Sequence, residues 1–426
     1  MMLEQAEIKP NDMVGRGVEL CAMFAHGCNE GTGPAGVPLS TDHPIIMEEL
    51  SFLILWIFAP TGKLDGDTAD SRNISDAASK AIKMTHRIGC RRPLLVLGHI
   101  TSRPKDAVWM KKDFPLLNAI LGAMHALYNP LELRKAFPEK ARKFDALLMF
   151  GASKSILRVA YAMEEGRRVA CDIAGSDPKR MSAPPIVECE KSEFASTSVV
   201  MMQVREINIC AYPLMAAVNR AASGVERHNG KVVHLTYEGA SPADTTLFLI
   251  GKGITYDTVG MDVKAGGVMA GMHRDKSRAA AVAGCFRIFS LLKPKGLSVH
   301  GAMALVRNSI GSNGYVADMI ITSCAGRLVY VGKHQRSVRR KNRLCKCLHP
   351  LSTIKLSSAI MDNGPARKPG VASDLQRAGD QHDLDLEKKH LPYTHLDIAG
   401  SAGGIDVLPS GAPLLMFTSM YVLPRL

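Results

Sequence analysis

The sequence predicts an α/β protein of two domains, each a largely parallel or mixed sheet flanked by helices. Three observations predict it. Apolar runs of strand length, such as 145–151 and 245–250, are bounded by glycine or proline. Between them lie longer segments with helical spacing, and strand, helix, strand at these lengths makes βαβ units. The third is length, since 426 residues can fill two cores. The expected division is an N-terminal α/β domain over 1–155 and a C-terminal domain over 156–426, with 332–390 set apart by its composition.

The elements follow in order. Leu50–Pro60 is strongly apolar but about half the ~20 residues that cross a bilayer, so it reads as a buried strand. Arg92–Gly98 reads as a parallel-type strand between turn residues. Asp106–Tyr128 has helical spacing and stops at Asn129-Pro130. Asp145–Gly151 is a strand and Ser153–Ala170 a connecting helix. Asp177–Pro185 is rich in turn residues and opens the second domain. Lys231–Tyr237 alternates Val233, Leu235 and Tyr237 against His234 and Thr236, a strand pattern. Thr245–Ile250 is a short strand expected to end in a turn at Gly251 and Gly253. Ser277–Leu292 is a helix ended by Pro294, with Ala279, Ala280, Ala281, Ala283 and Gly284 permitting close packing on a sheet. Ser298–Val306 and Asp318–Ser323 are further strands.

Composition narrows the function. Hydrophobic content of 46% and charged content of 22% are ordinary for a globular protein. Met1-Met2-Leu3-Glu4-Gln5 has neither a basic nor an apolar leader region, so no signal peptide and no membrane partner are expected. The ten cysteines include no Cys-x-x-Cys, and Cys345 and Cys347 are too close for ordinary zinc-finger spacing. Reduced thiols and a cytoplasmic location are the expectation, and the sequon Asn73-Ile74-Ser75 is then silent. The net charge of +13 is local. Residues 319–361 hold nine Lys and Arg and no Asp or Glu. By charge alone 333–346 has the look of a nucleic-acid patch. It lacks interleaved aromatics, so a solvated loop is expected and nucleic acid is not an expected partner.

After Thr245–Ile250 come Lys252, Asp257, Lys264 and Asp275. In an open α/β sheet chemistry collects beyond the carboxyl ends of the strands. Lysines and carboxylates gathered there are the parts of a metal site with an electrophilic helper. Taken singly each has a plainer reading. Lys252 beside a glycine is a turn lysine, Asp257 a turn cap, and Asp275 the N-cap of the following helix. His26, His43 and His86 are isolated and read as surface or satisfied core histidines. A phosphate loop is excluded, because no Gly-x-x-x-x-Gly-Lys-Ser/Thr is present.

Taken together, Gly251-Lys252-Gly253-Ile254-Thr255-Tyr256-Asp257, then Lys264, then Met269 and Met272 before Asp275, resemble the leucine aminopeptidase (cytosol aminopeptidase) family of two-metal exopeptidases. Near the C-terminus His395-Leu396-Asp397-Ile398-Ala399-Gly400 and Pro409-Ser410-Gly411-Ala412-Pro413 resemble that family too. The resemblance implies removal of N-terminal amino acids from peptides with a free N-terminus, by a cytosolic hexamer holding two divalent ions, zinc or manganese. It implies that Asp257 contacts both ions and that Asp275 and Lys252 hold one. A lysine ligates only as the neutral amine. Lys264 is the implied catalytic residue, charged and facing the scissile carbonyl, where a fixed donor is worth ~3–4 kcal/mol.

The family's Asn-Thr-Asp-Ala-Glu-Gly-Arg run, which completes the second metal site, should follow Gly326–Val331. Gly332-Lys333-His334-Gln335-Arg336-Ser337 stands there instead, and no carboxylate occurs between Asp318 and Asp362. Val259 replaces the first glycine after the family's Asp-Ser, where a tight turn wants Gly. Lys276-Ser277-Arg278 replaces Met-Gly-Gly after Asp275, placing bulk and positive charge beside a cation site. One ion or none, and impaired hydrolysis, are therefore expected. The alternatives are a catalytically silent member acting through assembly or peptide binding, and nucleic-acid binding through 333–346. Codons for Lys333–Ser337 read one nucleotide later permit Asn-Thr-Asn-Ala. A frame shift between about 332 and 390 thus accounts for the lost motif, the acid-free run and the family-like sequence from Pro392.

Overall fold

The structure, a computed structural model of the chain, describes residues 2–6, 21–24, 55–62, 64, 70–98, 113–261, 263, 269–323, 326, 328–331, 396, 398 and 408–426. It divides into two compact units, Met1–Glu164 and Glu165–Leu426.

The first unit carries strands β1 (Met2–Ala6), β2 (Cys21–Phe24), β3 (Leu55–Phe58), β4 (Leu94–Leu95) and β5 (Ala146–Phe150). They form one sheet in the order β1-β5-β4-β2-β3, every pair parallel. The apolar run at Leu50–Pro60 contributes only Leu55–Phe58; 51–54 lie outside the described residues. Helix α1, Ser71–Arg87, starts at a capping box: Asp70 accepts from the Arg72 N–H, and the Asn73 side chain accepts from the Asp70 N–H. Its buried Ile74, Ala77, Ala78 and Ala81 make one face at helical spacing. Helix α2, Phe114–His125, lies within the helix read at Asp106–Tyr128 and ends at His125, three residues before the expected stop; 101–112 lie outside the described residues. Gly122 of α2 lies where a Cβ would be 2.1 Å from the Ser75 carbonyl oxygen, so the two helices meet backbone to backbone. His86 packs edge-on against Phe144 at 5.9 Å, a structural role. His26 and His43 are outside the described residues.

Helix α3, Lys154–Gly175, contains the division between the units. In the second unit, α4 (Ala183–Phe194) begins with Pro184 and Pro185 in its first turn. The prolines read as turn signals thus open a helix, where their missing N–H groups need no partner. Strands β6 (Val200–Glu206), β7 (Lys231–Glu238), β8 (Thr245–Asp257) and β9 (Leu297–Asn308) form a sheet ordered β6-β7-β9-β8. β6, β7 and β9 pair antiparallel, whereas β8 and β9 are parallel. The sheet is mixed, and its parallel pair is joined through helix α5, Ser277–Leu292.

Both faces of this sheet are covered. On one, Phe286 of α5 fills the space over Gly301, and Phe289 lies 5.5 Å from the Tyr237 ring. On the other, Val232, Ala302, Ala304 and Val306 pack with Tyr212, Met215 and Val218. The short antiparallel pair β10 (Ile320–Thr322) and β11 (Leu328–Tyr330) lies beside that core, with Ile321 and Val331 partly buried against it. α5 has the predicted bounds; Lys293 closes it in the left-handed region at φ 53°, just before Pro294.

β8 departs from the sequence reading. It does not stop at Gly251 but runs thirteen residues to Asp257, pairing with β9 past Gly251↔Met303 and Gly253↔Leu305. The glycines serve closeness rather than a turn. A Cβ on Gly251 would stand 2.5 Å from the Ala279 Cα of α5, and one on Gly253 2.7 Å from the Ala304 oxygen. Lys252 and Asp257 are therefore strand residues. No helix among the described residues is long and apolar enough to cross a membrane.

Candidate functional site

The carboxyl end of β8 and the short 3-10 turn Met272–Lys276 that leads into α5 bring the chemistry-bearing side chains together. Gly271, at φ 81°, lets the chain enter that turn. Lys252 Nζ donates to Asp275 Oδ2 at 2.5 Å. Arg278 Nη1, one turn into α5, donates to the other oxygen, Asp275 Oδ1, at 3.2 Å. The three side chains are 31%, 17% and 22% exposed for Lys252, Asp275 and Arg278. Partial burial weakens screening, so these contacts count for more than surface pairs. The N-cap of α5 is Lys276 and it has no side-chain cap bond, so the capping role read for Asp275 is not the one it has. Its carboxylate faces two cations instead.

Asp257 closes β8. Its Oδ1 accepts from the Val259 N–H at 2.9 Å and from Asn308 Nδ2 at 2.6 Å. The first bond is the turn cap read from the sequence. Val259, where the family pattern has glycine, takes the left-handed conformation, φ 73°, and its side chain is buried. Asn308 ends β9 and is the register partner of Asp257. The Tyr315 hydroxyl donates to Asn308 Oδ1 at 3.2 Å. Burial pushes Tyr315 up to about 12, so it keeps its proton and holds the amide in the orientation that points Nδ2 at Asp257.

Of the residues singled out in the sequence, the structure joins Lys252 to Asp275 and fixes Asp257 from the neighbouring strand. Lys264 lies outside the described residues, as do 332–395 and Asp397. Lys276 does not add charge beside Asp275. It is fully buried, and its Nζ donates to the backbone oxygens of Ser176 at 3.0 Å and His273 at 2.7 Å. Arg278 alone of that substituted trio delivers its charge to the site.

Sequence reasoning named the charge of Arg278 but not its bond to Asp275, and passed over Asn308 and Tyr315. The pairing of Arg278 with Asp275 was present as an i, i+3 charge pair at a helix start. Asn308 lay two residues past the strand read at Ser298–Val306; the strand runs on to Asn308, where its carboxyl end adjoins that of β8. Tyr315 had no local signal, since its contact depends on the loop after β9 folding back. Among the described residues no group of three or more His, Cys, Asp or Glu is placed to hold a metal ion. A separate cleft of about 860 Å³ opens at the carboxyl end of β6, with Ile207, Cys210, Arg220 and Ile321 among its walls. Its acidic residue Glu206 is paired with Lys231.

Comparison with known proteins places this arrangement. A model described as the catalytic domain of the cytosol aminopeptidase family matches residues 168–336. A Caenorhabditis elegans protein named among the aminopeptidases is 32% identical over 361 residues, 79% of this chain and 67% of that one. A Synechococcus relative named with the cytosol aminopeptidases is 26% identical over 211 residues, 48% of this chain and 42% of its own. One from Metamycoplasma salivarium is 24% identical over 180 residues, covering 42% and 34%. The chain thus spans less than half the length of these bacterial relatives. In fold it is similar to the bottromycin maturation enzyme BotP, solved in complex with Mn, at a TM-score of 0.55, 17% identity, and coverage of 73% of this chain and 64% of that one. With the nematode relative 32% identical and covered over 67% of its own length, and the family's catalytic-domain pattern lying across β6 to β11, the chain belongs to the cytosol aminopeptidase family.

Proposed function

We propose that this chain is an aminopeptidase of its family in scaffold, binding peptides by a free N-terminus, with hydrolysis impaired because it does not hold the pair of divalent ions. The observation that carries the reading is the state of Asp275. One oxygen is taken by Lys252 and the other by Arg278. The family's further carboxylates have no counterpart between Asp318 and Asp362. Two divalent ions side by side need several anionic ligands to offset their repulsion. Asp257 and Asp275 alone do not supply them, so the residues present do not fit a two-ion centre, and no hydrolytic step is assigned to one. Zinc or manganese is the ion class this reading carries over, in keeping with the Mn complex of the structural neighbour. In the same reading Lys264 retains its place as the cation facing the peptide carbonyl, and the protein works in the cytoplasm as a hexamer.

The test is elemental analysis of the purified full chain, with leucine-amide hydrolysis assayed on the same sample, with and without added manganese. The expected result is at most one ion per chain and no manganese-dependent turnover. Two ions per chain with turnover would overturn the reading and mean that other carboxylates, such as Asp362 or Asp397, complete the centre.

A further inference from the structure

We propose that Arg278 is a built-in cation that occupies the ligand face of Asp275, so that this corner of the fold is closed without metal. The inference rests on the family reading of Lys252 and Asp275 as a metal-holding pair, and concerns what this chain has put in the ion's place.

A carboxylate binds a divalent ion through the same lone pairs that accept hydrogen bonds, at about 2.0–2.2 Å. Both oxygens of Asp275 already have a cationic donor, Lys252 Nζ at 2.5 Å on one and Arg278 Nη1 at 3.2 Å on the other. A lysine can still become a ligand by losing a proton. A guanidinium cannot, because it stays charged and has no lone pair to offer. An ion arriving at Asp275 must therefore compete with Arg278 for the carboxylate, either moving it aside or sharing the anion with a fixed positive charge. It must also enter a group that is net positive before it comes, with two cations on one anion.

The position of Arg278 makes this a property of the fold. It is three residues after Asp275, at the start of α5, and such neighbours share one face. α5 is held to the sheet by the approach of Ala279 to Gly251, which fixes where the Arg278 side chain begins. The family pattern has glycine at this position and leaves that face of the carboxylate open. The neighbouring substitution, Lys276, turns inward onto backbone oxygens and plays no part. Arg278 and Lys252 together tie α5 to β8 through one carboxylate.

The experiment is calorimetric titration of MnCl2 into the full chain and into Arg278→Ala, with thermal melts of each in excess EDTA and in excess MnCl2. The wild-type melting temperature is expected to be the same in both solutions. Arg278→Ala is expected to melt lower in EDTA, to recover in MnCl2, and to bind Mn²⁺ at least tenfold more tightly, about 1.4 kcal/mol. That gain should vanish in Arg278→Ala/Asp275→Asn. Arg278→Gln, which keeps most of the stem without the charge, carries the same comparison if the alanine variant does not fold. Unchanged Mn²⁺ affinity in the folded variant, or tight wild-type binding abolished by Asp275→Asn, would overturn the proposal. The readout does not depend on turnover. An inert wild type that binds Mn²⁺ at Asp275 defeats this inference alone. A wild type that cleaves leucine amide while Arg278→Ala gains affinity defeats only the functional reading.

Discussion

Glu190 on α4 is fully buried, and neither of its carboxylate oxygens has a hydrogen-bond partner. Burial pushes it up to about 8. The sign of its effect follows from linkage. Below the ordinary carboxylate range both folded and unfolded chains hold the proton, and stability is indifferent to pH. Between that range and about 8 the unfolded chain has released its proton while the folded chain has not, so stability falls as pH rises, at about 1.4 kcal/mol per unit. Glu190→Gln keeps the shape and removes the titration. Thermal melts from pH 5 to 9 should show the wild type losing stability toward pH 8, the variant with a flatter profile and the higher melting point at pH 8. Parallel profiles would assign the pH dependence to another group. At this scale legibility was uneven. The unusual lysine and carboxylates of 252, 257 and 275 stood out by type and spacing. Glu190 did not, because an acidic residue on a helix reads as surface until the packing around it is known. Val259 stood out as a missing glycine, and its left-handed φ agrees, but its burial was not readable.

Elements were read best where local pattern and packing agree. α5 was legible to the residue because its alanines, its apolar spacing and Pro294 all point the same way. β8 was cut short because glycine has two uses, and the local sequence cannot tell a turn from a close approach. Here the contact with Ala279, 28 positions further along the chain, decides. This assigns Gly251 a testable role. Gly251→Ala puts a methyl against helix backbone, which cannot rotate away as a side chain could. It should destabilise the chain by about 3 kcal/mol, the upper part of the range for overpacking. Gly224→Ala is the control, since nothing lies within 4 Å of its Cβ position; it should change stability by less than about 0.5 kcal/mol. Urea unfolding of the two variants measures the difference. Equal stabilities would mean that α5 shifts off β8 at no cost and that the glycines do not set the helix position.

At the scale of the whole molecule the question is why a chain with so much of the family's pattern lacks its second run of carboxylates. The family's catalytic-domain pattern stops at residue 336, inside the stretch where the basic sequence begins. With 40 Asp and Glu in 426 residues, a segment as long as 319–361 would ordinarily contain several, yet it has none. Nine of the positive charges fall in that one segment. The sequence from Pro392 again resembles the family. A reading frame displaced by one nucleotide near 332 and restored before Pro392 would produce all three features at once, because it scrambles residue types between the two changes while leaving both flanks intact. The expected outcome of sequencing the transcript is that the codons from about Lys333, read one nucleotide later, spell an Asn-Thr-x-Ala run with acidic residues after it, rejoining the present frame before Pro392. An adjacent frame without that run would mean that the basic segment is this chain's own. The loss of the carboxylates and the gain of Arg278 would then be two parts of one change, a family member that gave up its ions and closed the space they left.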